Sequence, residues 1–439
     1  MFLFDLNWQI QHFLNQFFWP INFLLVAILV ILAYLSYKKP IYAVGLTIVL
    51  LPTYLFRSKI WFPTPSGAEG LPFTFLEVCI WVTFLGWLIN SSSYKLKALN
   101  SKLKNYRWPI LLILLSATIS VFISPDKAAA AGLWKAYFVE PILFFVVLVN
   151  IIKTQKDKDV ILWSLGISTL AISLLAIYQK FTGFGIAEAS WILPAQRRVT
   201  SLFTSPNAVG LYLGPITAIY LGWLISELPK VRFANRTFGL TILKLLIIIP
   251  AILAILFTVS QGTWLGLLAA IVFFVFFGWN KKITALIVLI LIISCLTVPP
   301  ARHQILELLT FKDASSQNRL FLWQTGWQYL TDNSKNSVLG AGLLGFAQIQ
   351  NAQRDPLTLE PLLYPHNIIL NFWLEIGLTG LLAFGWLIIK FFKQGFANYQ
   401  LITLGLMSAM VAILIHGLID VPYFKNDLAV LFWVIIGLL

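Results

Sequence analysis

The sequence predicts an all-α, polytopic membrane protein, and three observations predict it. Hydrophobic residues make up 59% of the 439 residues and charged residues only 11%, against roughly 25% charged in an average soluble domain. The mean hydropathy is +0.84, which is more apolar surface than a soluble chain of this length can bury. The apolar residues stand in long unbroken runs, such as 240–256 and 283–298, whereas a membrane β-barrel alternates apolar and polar residues in segments of about 10. Unbroken runs in lipid require helices, because a helix satisfies its own backbone hydrogen bonds. The same composition excludes intrinsic disorder, which needs low hydrophobicity and high charge. Cys79 and Cys295 each lie inside an apolar run, so no disulfide framework is implied.

Taken in order, residues 1–18 show neither a basic n-region nor a small-residue cleavage site, and so do not read as a signal peptide. Phe2, Leu3, Leu6, Ile10, Phe13, Leu14 and Phe17 recur at helical spacing, which predicts a helix lying in the membrane interface. Hydrophobic spans follow at 20–37, 41–56, 72–90, 108–124, 136–152, 160–181, 207–226, 240–259, 262–279, 282–298, 367–392, 399–418 and 427–439. The first, second and last are short for a bilayer that needs about 20 apolar residues, so the expectation is about 12 transmembrane helices, within roughly 11–13. Basic clusters mark alternate connections: Lys38-Lys39; Lys95, Lys97, Lys102, Lys104 and Arg107; Lys153, Lys156 and Lys158; Lys230, Arg232 and Arg236; Lys281-Lys282; Lys390 and Lys393. The positive-inside rule places these in the cytoplasm and the less basic connections 57–71, 125–135, 182–206, 260–261, 299–366 and 419–426 outside. The net charge of +14 is therefore membrane topology, not a nucleic-acid footprint. The outward connections 182–206 and 299–366 are too long for turns. In the second, Leu320, Trp323, Trp327 and Leu330 recur at helical spacing, which predicts a partly helical loop. No internal repeat of the transporter kind is visible.

Chemistry-bearing residues concentrate in the outward connections. Arg197 and Arg198 stand shortly before Ser205-Pro206-Asn207, which opens a span. Ser205 or Asn207 can cap that helix, and a helix N-terminus beside arginines can hold a phosphate bidentately. Ordinary interfacial arginines would read the same way. Ser260-Gln261-Gly262-Thr263-Trp264 is a tight polar turn between spans; Gly262 permits the turn and Trp264 sits at interface depth. Arg319 stands at the start of the amphipathic segment, either as an anion ligand or as a snorkelling arginine. His366, in Tyr364-Pro365-His366-Asn367, immediately precedes a long span. Imidazole exchanges protons near neutral pH, although a structural histidine fits the same position. Glu77, Lys135, Glu140, Glu375, His416 and Asp420 lie in or at the ends of spans, where charge is costly unless paired or facing water. Interhelical pairing and an ion or proton pathway both remain open for them. His416 and Asp420 share a helix face. There is no Walker loop, no H-E-x-x-H and no Cys/His metal spacing.

Four motifs, in order, resemble those of the bacterial O-antigen ligase and O-antigen polymerase superfamily. Arg198-Val-Thr-Ser201-Leu-Phe203-Thr-Ser-Pro206-Asn207 resembles its R-x-x-G-x-F-x-x-P-N segment, with Ser201 in place of glycine. Ser260-Gln261-Gly262-Thr263-Trp264-Leu265 resembles its S-R-G-x-W-L turn, with Gln261 in place of arginine. Arg319 and Trp323, followed by Gly340-Ala341-Gly342, resemble its R-x-x-x-W helix and G-x-G turn. His366-Asn367, with Gly377 and Gly380 beyond, resembles its H-N-x9-G-x-x-G signature. The resemblance runs from near Ser116 to the last residue.

The resemblance implies a single polytopic domain over 1–439, of the membrane glycosyltransferase C type, whose outward loops 182–206 and 299–366 carry the site. It implies a glycan transferase acting without metal or cofactor. Such an enzyme moves an oligo- or polysaccharide from a polyprenyl (undecaprenyl) diphosphate carrier to an acceptor hydroxyl at the outer, periplasmic face of the inner membrane. The product class is cell-envelope polysaccharide such as lipopolysaccharide. The implied partners are the lipid-linked donor, a lipid or glycan acceptor and the bilayer, with no nucleic acid. Carried over residue by residue, Arg198 and Arg319 are the diphosphate ligands and His366 is the base. Arg197, Asn207 and Gln261 join them as candidate substrate-binding residues, Arg197 being placed to restore the charge absent at Gln261. A transporter or flippase, and a non-catalytic relative that binds a lipid-linked glycan, are the alternatives. A transporter places its decisive residues near the bilayer midplane, whereas these lie in outward loops.

Overall fold

A computed structural model of the chain describes residues 3–4, 18–64, 67–90, 101–228, 236–278, 281–282, 284, 286, 314–354 and 362–439. Strand β1 (Leu3–Phe4) precedes helices α1 (Phe18–Lys38) and α2 (Pro40–Val49). Pro40 starts α2, where its missing N–H costs nothing. The expected span over 41–56 is α-helical only in its first part, because Pro52 sits in a 3₁₀ turn, Leu51–Leu55, that leads into extended chain. The predicted outward loop 57–71 is instead a hairpin: β2 (Phe56–Thr64) pairs antiparallel with β3 (Gly67–Thr74) from Arg57↔Thr74 to Thr64↔Gly67. β1 adds to its other edge, pairing Leu3 with Arg57 and Phe4 with Phe56. Leu3 is therefore in a strand and not in the expected interfacial helix, since an open strand edge offers backbone partners that a lone helix end lacks. Phe2, Leu6, Ile10, Phe13, Leu14 and Phe17 lie outside the described residues.

The helices then run α3 (Phe75–Asn90), α4 (Ser101–Ile123), α5 (Lys127–Ile151), α6 (Gln155–Thr182), α7 (Pro206–Glu227), α8 (Arg236–Thr258), α9 (Gln261–Gly278), α10 (Ala314–Asp332), α11 (Ser334–Leu339), α12 (Gly345–Gln353), α13 (Ile368–Ala397), α14 (Leu401–His416) and α15 (Asn426–Leu438). Among the described residues, seven helices are long and apolar enough to cross a membrane: α4 to α9 and α13. Shorter apolar helices are α2, α3, α14, α15 and the Phe23–Lys38 part of α1. This is an all-α polytopic membrane protein with one small sheet. Most of the expected span at 282–298 lies outside the described residues.

Helix ends follow their cap residues. Thr154 and Asp157 form a capping box at the start of α6, and Gly183, at φ 73°, ends it. Helix α7 lies at the centre, with 83% of its apolar window buried. It meets α14 backbone to backbone, since a Cβ on Gly222 would stand 2.5 Å from Gly405 Cα. Small residues let membrane helices approach this closely.

The intramembrane charges on α3 and α5 pair with one another. Lys135 Nζ lies 2.6 Å from Glu77 Oε2 and 3.9 Å from Glu140 Oε1. Trp81 Nε1 donates to Glu140 at 2.8 Å, and Asn426 Nδ2 donates to Glu77 at 2.9 Å. A π-turn at Lys135–Val139 carries Lys135 within α5. This seam ties α3, α5 and α15 together.

Helix α10 packs on a face that overlaps the Leu320, Trp323, Trp327 and Leu330 stripe only in part: it buries Leu322, Thr325, Gly326 and Leu330, half-buries Leu320 and Trp323, and leaves Trp327 exposed. Gly326 decides this: a Cβ there would stand 3.0 Å from Leu374 Cδ1, so the bare backbone lies on α13. Leu322, Leu330, Phe346 and Leu374 form a small core that fastens α10 and α12 to α13.

Candidate functional site

The site assembles at one end of the bundle, from connections that the sequence places on one side. Arg198 follows the 3₁₀ turn Pro194–Gln196, which the extended Arg197 closes. Its Nε donates to Thr258 O at 2.9 Å, and its Nη2 donates to Val259 O at 3.3 Å and to Asn207 Oδ1 at 3.5 Å. Trp191 lies under the guanidinium, 5.7 Å from ring centroid to Cζ, a cation–π distance. Ser205 accepts from Ala208 N and caps α7, which leaves the Asn207 carboxamide free to face Arg198.

Arg198 is thus fastened to the turn that opens α9. In that turn Thr263 Oγ1 donates to Ser260 Oγ at 2.9 Å. Gln261 is exposed at the first position of α9. Gly262 is required by close contact, since a Cβ there would stand 2.6 Å from His416 Cδ2. His416 Nε2 lies 3.9 Å from Asp420 Oδ2, and Asp420 Oδ1 lies 3.2 Å from His366 Nδ1. Asp420 also accepts from Val421 N at 2.8 Å, which fixes its carboxylate.

The His366 turn is built onto the same corner. Asn367 caps α13 by accepting from Ile369 N and Leu370 N, and its Nδ2 donates to Leu418 O at 3.0 Å. Ile368 N donates to Gly417 O at 2.6 Å. His366 itself has φ 49°, and Val259, beside Arg198, has φ 50°. Left-handed backbone at a non-glycine residue costs roughly 1–3 kcal/mol and collects at functional sites.

Arg319, near the start of α10, joins the cluster electrostatically. Its charge acts on both Arg198 and His416. Burial first, and then Arg319's charge, push the Arg198 guanidinium below its usual value. Burial alone would raise the Asp420 carboxyl, but attraction from His366, His416 and Lys425 outweighs it and holds the group below the usual carboxylate range. Among the described residues Arg319 has no carboxylate partner. Among the described residues, cations therefore gather here around one carboxylate, the one that His366 and His416 share.

Arg197 goes elsewhere. Its Nη1 donates to Lys180 O and its Nε to Ile192 O, both at 2.9 Å. The guanidinium lies against Gly183, 3.2 Å from where a Cβ would be. It caps the C-terminal end of α6, where the helix dipole favours a cation. The structure brings Arg198, Asn207, Gln261, Arg319 and His366 to one corner and leaves Arg197 behind it.

The glycines of the last two motifs shape the support. Helix α13 is broken at Ile376 and Gly377, with Gly377 at φ 73°. Ala341 N donates to Leu374 O, the carbonyl freed by the break, at 2.7 Å. Gly340, at φ 73°, admits the turn, because a Cβ would stand 2.4 Å from Leu374 O. Glu375 Oε2 accepts from Leu344 N at 2.8 Å and holds the same loop. Ser201 has φ 50° where the family motif has glycine. Its Oγ donates to Ile172 O, and Gln179 brackets its backbone N–H and C=O.

Asp420 is the residue that motif reading passed over. Its spacing from His416 was visible, but nothing in the sequence linked it to His366, 54 positions earlier.

Fold and site define the class: a polytopic helical membrane protein with a cationic, imidazole-bearing site at one end of its bundle. Residues 246–385 match the O-antigen ligase family. Over that stretch the chain is similar to the O-antigen ligase family, which supports the resemblance drawn from its motifs. The match spans the middle of α8 to the middle of α13, with Gln261, Arg319 and His366 inside it and Arg198, His416 and Asp420 outside it. No curated protein matches the chain.

Proposed function

We propose that this protein is a membrane glycan transferase. It passes an oligo- or polysaccharide from a polyprenyl diphosphate carrier to an acceptor hydroxyl, as a ligase or polymerase, at the periplasmic face of the inner membrane. The observation that carries the reading is the corner where Arg198 and Arg319, without carboxylate partners among the described residues, stand next to the His366–Asp420 pair. Two guanidinium groups form a diphosphate clamp, since each presents a planar fork of donors.

In this reading Asp420 accepts the Nδ1 proton of His366. That selects the tautomer with a bare Nε2, which takes the proton from the acceptor hydroxyl as the oxygen attacks the anomeric carbon. The C–O bond to the diphosphate breaks, and the negative charge that develops there falls on Arg198 and Arg319. Direct attack inverts the anomeric centre. Asn207 orients Arg198, and exposed Gln261 faces the substrate from the α9 N-terminus.

The test is transfer of a polyprenyl-diphosphate-linked glycan in membranes. His366→Gln keeps a hydrogen-bonding side chain but has no basic nitrogen, and should be nearly inactive at normal protein level. Near-normal transfer in His366→Gln would eliminate the base and leave a carrier-binding or transport role. A reporter active only in the cytoplasm should be silent when fused within 314–354 and active after Lys393. Activity from the loop fusion would reverse the orientation. One feature favours a second reading, a non-catalytic binder of lipid-linked glycan: Gln261 stands where the family motif has arginine. Carrier binding with no turnover, and turnover gained in Gln261→Arg, would select it.

A further inference from the structure

At the far end of the bundle from His366, α4 and α13 enclose an open pocket of about 700 Å³. Lys390 is 24 residues beyond His366, roughly 35 Å along the helix at about 1.5 Å per residue. Lys102, Lys390 and Lys393 line the pocket together with Asn105, Trp386 and Ile389. No Asp or Glu is among the described lining residues.

Two features separate these lysines from ordinary flanking charges. First, two of them are held. Lys390 Nζ donates to Asn105 O at 2.8 Å, Asn105 Nδ2 donates to Gln394 Oε1 at 2.8 Å, and Lys102 Nζ donates to Gly437 O at 2.7 Å. Loose flanking lysines extend into water instead. Second, the pocket is two-faced. Trp386 and Ile389, 39% and 55% exposed, stand on the outer surface of a membrane-crossing helix. Lys390 Nζ lies 5.5 Å from the Trp386 ring centroid, so cationic and apolar walls adjoin. A free anion would use the ammonium groups and leave the apolar wall idle. A phosphodiester with an attached hydrocarbon chain uses both, and the volume is larger than a small ion needs.

We propose that this pocket binds the head group of an anionic phospholipid. The phosphate sits among Lys102, Lys390 and Lys393, and an acyl chain lies along Trp386 and Ile389. The site is remote from the His366 corner and stands whether or not the transfer reading holds.

The experiment uses the full chain, reconstituted in nanodiscs of phosphatidylcholine with added phosphatidylglycerol and released for native mass spectrometry. Wild type should retain phosphatidylglycerol in preference to phosphatidylcholine. Lys393→Gln, at an exposed position, should weaken retention about fivefold, and Lys390→Gln with Lys393→Gln roughly 25-fold, from about 1 kcal/mol per basic residue at a membrane surface. Lys104→Gln, exposed nearby but not lining the pocket, should change nothing. Equal retention of the two lipids, or unchanged retention in Lys393→Gln, would overturn the proposal and return these lysines to ordinary flanking charge. Displacement of the lipid by millimolar inorganic phosphate would also overturn it, by making a soluble phosphate the ligand.

Discussion

Charge is handled in opposite ways in the two polar regions of this protein. In the seam between α3, α5 and α15, Lys135 sits between Glu77 and Glu140, and Trp81 and Asn426 supply further donors. Lys135 is shared by the two carboxylates and the remaining donors also come from the protein, so the seam fixes helix packing from within. At the His366 corner, Arg198 and Arg319 repel each other, and Arg198 is held by neutral carbonyl and amide oxygens. Such a corner is stable only with an anion supplied from elsewhere or with water over it. Arg197 and Arg198 show the same contrast one residue apart. Arg197 is consumed by Lys180 O and Ile192 O, whereas Arg198 reaches the corner.

The largest effect should come from His366→Ala, which should cut transfer about 10²- to 10⁴-fold, as loss of a general base does, with normal protein levels. A membrane assay with quantified protein checks both. Lys135→Ala should act in the other currency. It leaves buried carboxylates uncompensated and should cost about 3–5 kcal/mol of stability, seen as a lower unfolding midpoint in detergent. Its activity per folded molecule should stay near wild type. If Lys135→Ala instead lost turnover while fully folded, the division between a packing seam and a working corner would fail.

Asp420→Asn should come next, with turnover down about 10- to 100-fold, on the ground that a mispresented imidazole tautomer slows proton transfer. The loss should appear in kcat more than in KM, since Asp420 acts through His366. An unchanged kcat would detach Asp420 from the base. Arg197→Gln should leave kcat alone and destabilise the protein by about 1–3 kcal/mol through buried carbonyls left unmade. A large rise in KM for the lipid-linked donor would bring Arg197 back into the substrate site. The smallest effect should be Ser201→Gly. Relief of left-handed strain, about 1 kcal/mol, offsets the lost Ser201 Oγ bond, about 1 kcal/mol, so stability should stay within about 1 kcal/mol of wild type. Thermal unfolding measures it.

Much of the candidate site was legible in the sequence because its residues sit in short motifs. Gly262, Gly340 and Gly377 stood out as motif glycines, and each proves to lie at a close approach or a positive φ. What was not legible depended on which side chains meet. The helical spacing in α10 marked Leu320, Trp323, Trp327 and Leu330, but tertiary contact leaves Trp327 exposed and rewards Gly326, which has no side chain to keep Leu374 away. The hairpin over β2 and β3 was hidden because a short polar connection between spans has no hydropathy signature of its own.

By itself the sequence determined the membrane class, the order of the apolar helices and the residues worth watching. Hydropathy is a local sum over about 20 residues, and a motif is a local spacing, so both survive without knowledge of the fold. Only the tertiary structure decided which of two adjacent arginines reaches the corner, that Asp420 holds His366, and that Gly262 is needed to admit His416. Those outcomes depend on where helix ends from distant parts of the chain come together. A bundle sets such meetings through backbone approaches of a few ångströms, a scale that residue spacing along the chain does not encode.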